Sequence, residues 1–125
     1  MENKKLINLA KKARENAYAP YSNFKVGACV LCESGKTYVG ANIENISFPL
    51  GCCAEKLAIC TAIFNKEKIT KIAIYSGKGY TFPCGACRQI IMEFNPETEV
   101  IVCNEKECKS YIIKDLLPNS FSEIK

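Results

Sequence analysis

The order of segments in this chain predicts an α/β fold with three layers, a mixed five-stranded sheet carrying helices on both faces. Three observations lead there. An amphipathic N-terminal helix runs into a hairpin of two short strands, an almost wholly apolar helix follows, and a strand-helix-strand passage then ends in a second hairpin. At 125 residues and 48% hydrophobic, the chain fits one domain, residues 1–125, around a single core.

The first helix is read over residues 3–17. Leu6, Ile7, Leu9, Ala10, Ala13 and Ala17 recur at helical intervals among charged residues. Ala19-Pro20 stops it, because proline disfavours helical geometry in the residue before it. The early lysines have no apolar run behind them, so this is an amphipathic helix rather than a signal peptide. Strands over residues 25–32 and 37–42, joined by Glu33-Ser34-Gly35-Lys36, make the first hairpin. Residues 42–51 form a loop. Residues 53–64 leave so little polar face that their helix belongs at the centre of the fold or at a subunit contact. Strands over 71–76 and 99–103 flank a helix over 84–94, which makes them parallel with a right-handed crossover. A turn at 104–107 returns the chain as a fifth, antiparallel strand over 110–113, before Asp115-Leu116-Leu117-Pro118 and a short tail.

Composition narrows the chemistry. The chain has no histidine, so histidine-dependent catalysts are excluded and any zinc site must use sulfur or carboxylate. Nine cysteines, an odd number, without a secretory signal point to a reducing, cytoplasmic setting and to ligand or core roles rather than disulfides. The formal charge of +4 comes from scattered lysines without aromatic interleaving, the pattern of a solvated basic surface and not of a nucleic-acid partner. No window approaches the roughly 20 apolar residues that a membrane span requires.

Two segments carry the functional signal. Cys84 and Cys87 have the spacing that puts two sulfurs on one side of a helix's first turn, with Pro83 suited to a helix start. The positive end of the helix dipole there favours thiolate. On its own this pair fits a redox couple or half of a zinc knuckle equally well. Cys53 opens another helix, and Glu55, two residues on, can reach past a metal to a bound water. Three protein ligands with an open fourth position describe a catalytic zinc. Cys52, Cys29, Cys32, Cys60, Cys103 and Cys108 read as small core or surface thiols.

A cysteine, then glutamate, then Pro-Cys-x-x-Cys is the all-cysteine form of the zinc deaminase signature, in which zinc-activated water attacks C4 of cytosine and the glutamate serves as acid and base. Beyond it, the segments Ala19-Pro20-Tyr21-Ser22-Asn23-Phe24-Lys25-Val26-Gly27-Ala28, Asn42-Ile43-Glu44-Asn45, Pro83-Cys84-Gly85-Ala86-Cys87-Arg88-Gln89 and Leu116-Leu117-Pro118 closely resemble the small homotetrameric cytidine deaminases, in family order and over nearly the whole chain. The resemblance implies the cytidine-deaminase-like α/β/α fold, one zinc per subunit on Cys53, Cys84 and Cys87, and a homotetramer with shared sites. It also implies hydrolysis of cytidine and 2′-deoxycytidine to the uridine forms in pyrimidine salvage, with Glu55 moving the protons.

By the same resemblance Phe24, Phe48 and Ala54 border the nucleoside, Asn42 and Glu44 grip the ribose 3′-hydroxyl, and Phe121 enters a neighbouring subunit's pocket to pack on the pyrimidine. Read from the sequence alone, Phe24 is a core residue, Asn42 and Glu44 are polar loop residues and Phe121 is a tail aromatic. Two departures stand out. Lys56 follows the glutamate where the family usually has arginine, so charge without a planar fork faces a centre made anionic by three thiolates, with Arg88 as a second source of compensation. Lys56 facing solvent is the plainer alternative. Phe48 stands where many relatives carry tyrosine. Deamination within a nucleic acid, deamination of an aminoacyl-nucleoside antibiotic, and a purely structural four-cysteine zinc module are the rival readings. The lack of a basic groove, the Asn42–Asn45 motif and the placing of Glu55 weigh against them in turn.

Overall fold

The computed structural model describes residues 2–123. Its sheet has the order β2-β1-β3-β4-β5, built from β1 (Gly27–Cys32), β2 (Thr37–Ala41), β3 (Ile69–Tyr75), β4 (Glu99–Cys103) and β5 (Cys108–Ile112). β1 pairs antiparallel with both β2 and β3, β3 and β4 run parallel, and β5 returns antiparallel on β4. This is the mixed sheet that the sequence predicts.

Helices cover both faces. Leu6 and Ala10 of α1 (Asn3–Ala13) pack with Cys29, Leu31, Ala73, Tyr75 and Ile101 on one side. Opposite lie α2 (Ala54–Phe64), α3 (Gly85–Phe94) and α4 (Ile113–Leu116), whose Ala58, Ile59, Ile91 and Ile113 meet Ala28, Val30, Ile72, Ile74, Val100 and Val102. Alternate residues of β1 thus serve different layers, and all six are buried.

Two helices come down on strand backbone. A Cβ at Gly27 would lie 2.0 Å from the Ala10 carbonyl oxygen, and one at Gly40 would lie 2.4 Å from that of Ala54. Only glycine permits either approach. The first contact also helps explain why α1 stops at Ala13, earlier than its periodicity predicts. A single 3₁₀ turn, Arg14–Asn16, follows, and Arg14 Nε donates to the Lys25 carbonyl (3.0 Å), turning the chain toward β1.

Three further expectations need correction. β3 begins two residues early, at Ile69, and β5 runs from Cys108 to Ile112, so Ile113 opens α4 instead of ending a strand. The reading that no cysteine is paired fails at the second hairpin. Its register sets Cys103 opposite Cys108, with Cα atoms 4.1 Å apart, and the two form a disulfide. On α2, Lys56, Cys60 and Phe64 are exposed along one face while Ala54, Glu55, Ala58, Ile59 and Ala62 are buried against the core. Among the described residues no helix is long and apolar enough to cross a membrane.

Candidate metal centre and the cavity beside it

Residues separated widely in sequence meet where the N-termini of α2 and α3 converge. Cys53 is the N-cap of α2 and Cys84 the N-cap of α3, positions that usually carry a side chain capping the first amides. Neither makes a side-chain cap bond, so unpaired helix N–H groups lie beside the sulfurs and favour negative charge there. Cys87, one turn into α3, is buried. The three Sγ atoms lie within 4.8 Å of one another. A tetrahedral zinc with sulfur at about 2.3 Å needs its sulfurs about 3.8 Å apart, so a small contraction suffices and the donor set is one zinc favours.

The thiols shift one another's acidity. Cys53 is pulled well below the usual thiol range, chiefly by a hydrogen bond from Cys87, then by Cys84 and the positive charge of Lys56, against the opposing effect of burial. Cys87 is pushed up by donating that bond and by burial. A cation bound there would displace the remaining thiol protons. Cys52 stays apart, its Sγ directed to the Cys53 carbonyl at 3.5 Å.

Glu55, in the first turn of α2, is 5% exposed. Burial pushes its carboxyl up to about 7, the charge of Cys53 adds to that effect, and its own backbone N–H opposes it. A carboxyl there can hold or release a proton near neutrality.

A cavity of about 450 Å³ opens beside Cys53, lined by Tyr21, Ser22, Asn42 to Asn45, Phe48 and Gly51 to Cys53. Backbone bonds fix its floor. Ile43 and Cys52 exchange N–H to carbonyl bonds (2.9 and 2.8 Å), and Tyr18 does the same with Asn42 and Glu44 (2.9 and 2.8 Å), so the polar loop is tied to the residue before the first thiol. Asn42 accepts from the Val26 N–H and donates to the Phe24 carbonyl, both at 2.8 Å. Glu44 accepts from the N–H groups of Tyr21 (2.9 Å) and Ser22 (3.2 Å) and from the Ser22 hydroxyl.

Asn42, Glu44 and Phe48 therefore line the cavity with Cys53, but Phe24, Ala54 and Phe121 do not. Phe48, on the turn Phe48–Leu50, is 74% exposed, its ring centroid 6.0 Å from that of Tyr21 and inclined to it by 64°. Ala54 is wholly in the core. Phe121 is 69% exposed, while its backbone is clamped by Gln89 of α3, which accepts from its N–H (3.2 Å) and donates to its carbonyl (2.7 Å). Lys56 is exposed yet near enough for its charge to act on Cys53 and Cys52. Arg88 is engaged elsewhere: Nε donates to the Pro83 carbonyl and Nη1 to that of Leu116, each at 2.8 Å, holding the tail and not the sulfurs. Sequence reasoning passed over Ser22 and Tyr21 at the cavity wall. A serine two residues before Phe24, in a polar turn, was the available signal, since such hydroxyls cap nearby backbone N–H groups.

Known proteins resemble the chain throughout. The family described as the cytidine and deoxycytidylate deaminase zinc-binding region matches residues 1–104. The cytidine deaminase of Sporosarcina psychrophila is 42% identical, with 98% of this chain and 93% of that protein covered. That of Halalkalibacterium halodurans is 40% identical over 98% and 96%. Among solved structures, cytidine deaminase from Burkholderia pseudomallei superimposes with a TM-score of 0.93 at 42% identity, covering 97% of this chain and 100% of that one. Cytidine deaminase from Mycobacterium tuberculosis gives 0.87 at 32% identity over 98% and 99%. With three thiols gathered at two helix starts, a buried glutamate beside them and this similarity along its length, the chain belongs to the zinc-binding cytidine and deoxycytidylate deaminase family.

Proposed function

We propose that the protein deaminates cytidine and 2′-deoxycytidine, adding water at C4 of the base and releasing ammonia to leave the uridine forms. The observation that carries this reading is Glu55, a buried carboxyl poised near neutrality beside Cys53, Cys84 and Cys87, the first of which lines a nucleoside-sized cavity. The three thiols would hold zinc, and bound zinc supplies a Lewis acid and an activated water at neutral pH. Glu55 takes a proton from the attacking water and delivers it to N3 of the ring, then takes the second proton from the oxygen now on C4 and gives it to the amine as the bond from C4 to that nitrogen breaks. Lys56 lends positive charge to the thiolates from the solvent side.

Asn42 and Glu44 receive the ribose 3′-hydroxyl, and Phe48 flanks the nucleoside. Cytidine and 2′-deoxycytidine should both be turned over, whereas cytidine 3′-phosphate should not, since the Glu44 carboxylate repels the phosphate and loses its hydroxyl partner. A spectrophotometric assay of the zinc-loaded enzyme on the three compounds tests this, and efficient turnover of the 3′-phosphate or of a short single-stranded oligonucleotide would contradict it.

We further propose a homotetramer with shared sites. Ile46, Phe48 and Leu50 beside the cavity, and Phe64 on α2, are each more than 70% exposed, an unusual concentration of apolar surface for a free subunit. The Gln89 clamp presents the Phe121 ring outward, where it can enter a neighbour's pocket. Burying an aromatic ring contributes about 2 kcal/mol, so Phe121→Ala should raise KM on the order of 30-fold. Unchanged kinetics for that variant, or light scattering that shows a fully active monomer, would remove the shared-site claim.

A further inference from the structure

The turn between Tyr21 and Phe24 holds a hydroxyl that the reaction itself does not require. Asn23 sits at φ 57, in the left-handed region that asparagine tolerates better than most residues, and its N–H bonds to the Ala19 carbonyl (3.0 Å). That geometry aims the Ser22 side chain at two partners. Its Oγ donates to Glu44 Oε2 and accepts from the Phe24 N–H at 3.0 Å. The opposite end of the Phe24 residue is held as well, its carbonyl accepting from Asn42 Nδ2 at 2.8 Å. One hydroxyl therefore joins a carboxylate at the cavity wall to the backbone of Phe24.

An ionised carboxylate offers about four lone-pair sites. At Glu44 two on Oε1 meet the Tyr21 and Ser22 N–H groups, and one on Oε2 meets the Ser22 hydroxyl. One site remains, on a carboxylate that borders the cavity. The single proton of Ser22 is already given to Glu44, so Ser22 has none to offer a ligand.

We propose that Ser22 is a positioning residue for sugar recognition: it locks the Glu44 carboxylate and the Phe24 peptide into one unit and leaves a single acceptor for a single hydroxyl donor. This rests on the reading of Glu44 as the acceptor of the ribose 3′-hydroxyl. Glu44 is held below the usual carboxylate range, first through its bond from Ser22, which agrees with a permanently ionised acceptor.

Steady-state kinetics of the zinc-loaded enzyme on cytidine and 3′-deoxycytidine provide the test. Losing one charge-assisted hydrogen bond, Ser22→Ala should raise KM for cytidine on the order of 10-fold, keep kcat within about twofold and leave KM for 3′-deoxycytidine unmoved. Ser22→Thr, which keeps the hydroxyl on an exposed turn, should restore KM; Ser22→Cys, a weaker donor of similar shape, should show the same selective loss if the alanine variant folds poorly. Glu44→Gln separates the two ideas. If it abolishes the preference for cytidine while Ser22→Ala leaves KM unchanged or raises it equally for both substrates, the role of Ser22 is refuted and the 3′-hydroxyl reading stands. If Glu44→Gln leaves the preference intact, the 3′-hydroxyl reading fails, and the Ser22 proposal with it.

Discussion

Glu55→Gln should bind zinc in full, melt at or above the parent temperature, and turn over cytidine roughly 100- to 10,000-fold more slowly, the range removed with a positioned acid-base group. The side chain is buried at the start of α2, and glutamine fills the same volume. The direction of the stability effect follows from the raised carboxyl. An acid whose folded-state pKa lies above its unfolded value destabilises the fold as pH rises through that interval, here up to about 7, so at neutral pH the uncharged amide escapes that cost. Against this stands the loss of a negative charge near a helix N-terminus, worth about 0.3–1 kcal/mol. Zinc content, a melting curve and kcat measured on one preparation decide the matter. Appreciable turnover by the glutamine variant would end the proton-shuttle assignment.

Cys84→Ala should fail differently, losing zinc and activity together while the fold survives. Cys84 is exposed and, although it is the N-cap of α3, contributes no side-chain cap bond, so its removal takes away a ligand and little packing. Cys87→Ala is the useful contrast: that thiol is buried against the core side of α3, and its truncation should lower the melting temperature as well. Metal analysis after gel filtration, alongside activity with and without added zinc, gives the readout. Full zinc occupancy and turnover in Cys84→Ala would mean that another thiol serves, with Cys52 nearest in sequence to the cluster.

The thiol cluster was legible in the sequence because its ingredients are local: Cys84 and Cys87 share one helical turn, and Cys53 and Glu55 share another. The order and direction of the strands were legible for the same reason, since two hairpin turns and one helical crossover are local signals. What escaped depends on contacts far along the chain. Nothing near Ala13 ends the first helix; the crowding of Ala10 on Gly27 and the bond from Arg14 to Lys25 lie across the fold. The Cys103–Cys108 bridge depends on where β5 begins, and strand ends are set by pairing rather than by composition. Arg88 looked available to the sulfurs from its position beside Cys87, yet the carbonyls of Pro83 and Leu116 engage it. Ser22 sat in full view inside a motif, but its two partners include a carboxylate more than twenty residues away.

Gly27 and Gly40 lie one register step apart on paired strands, and helix backbone presses on them from opposite faces of the sheet. Neither has a side chain with which to do chemistry, but Gly40 bears on the turn of α2 that carries Ala54 and Glu55, and Gly27 directly follows Val26, the residue bonded to Asn42. In a saturation mutagenesis map scored by activity, both positions would therefore rank beside the metal thiols, and a reader of that map would draw the active site too large. Only a parallel measure of folded protein separates residues that react from residues that leave no room to be anything else.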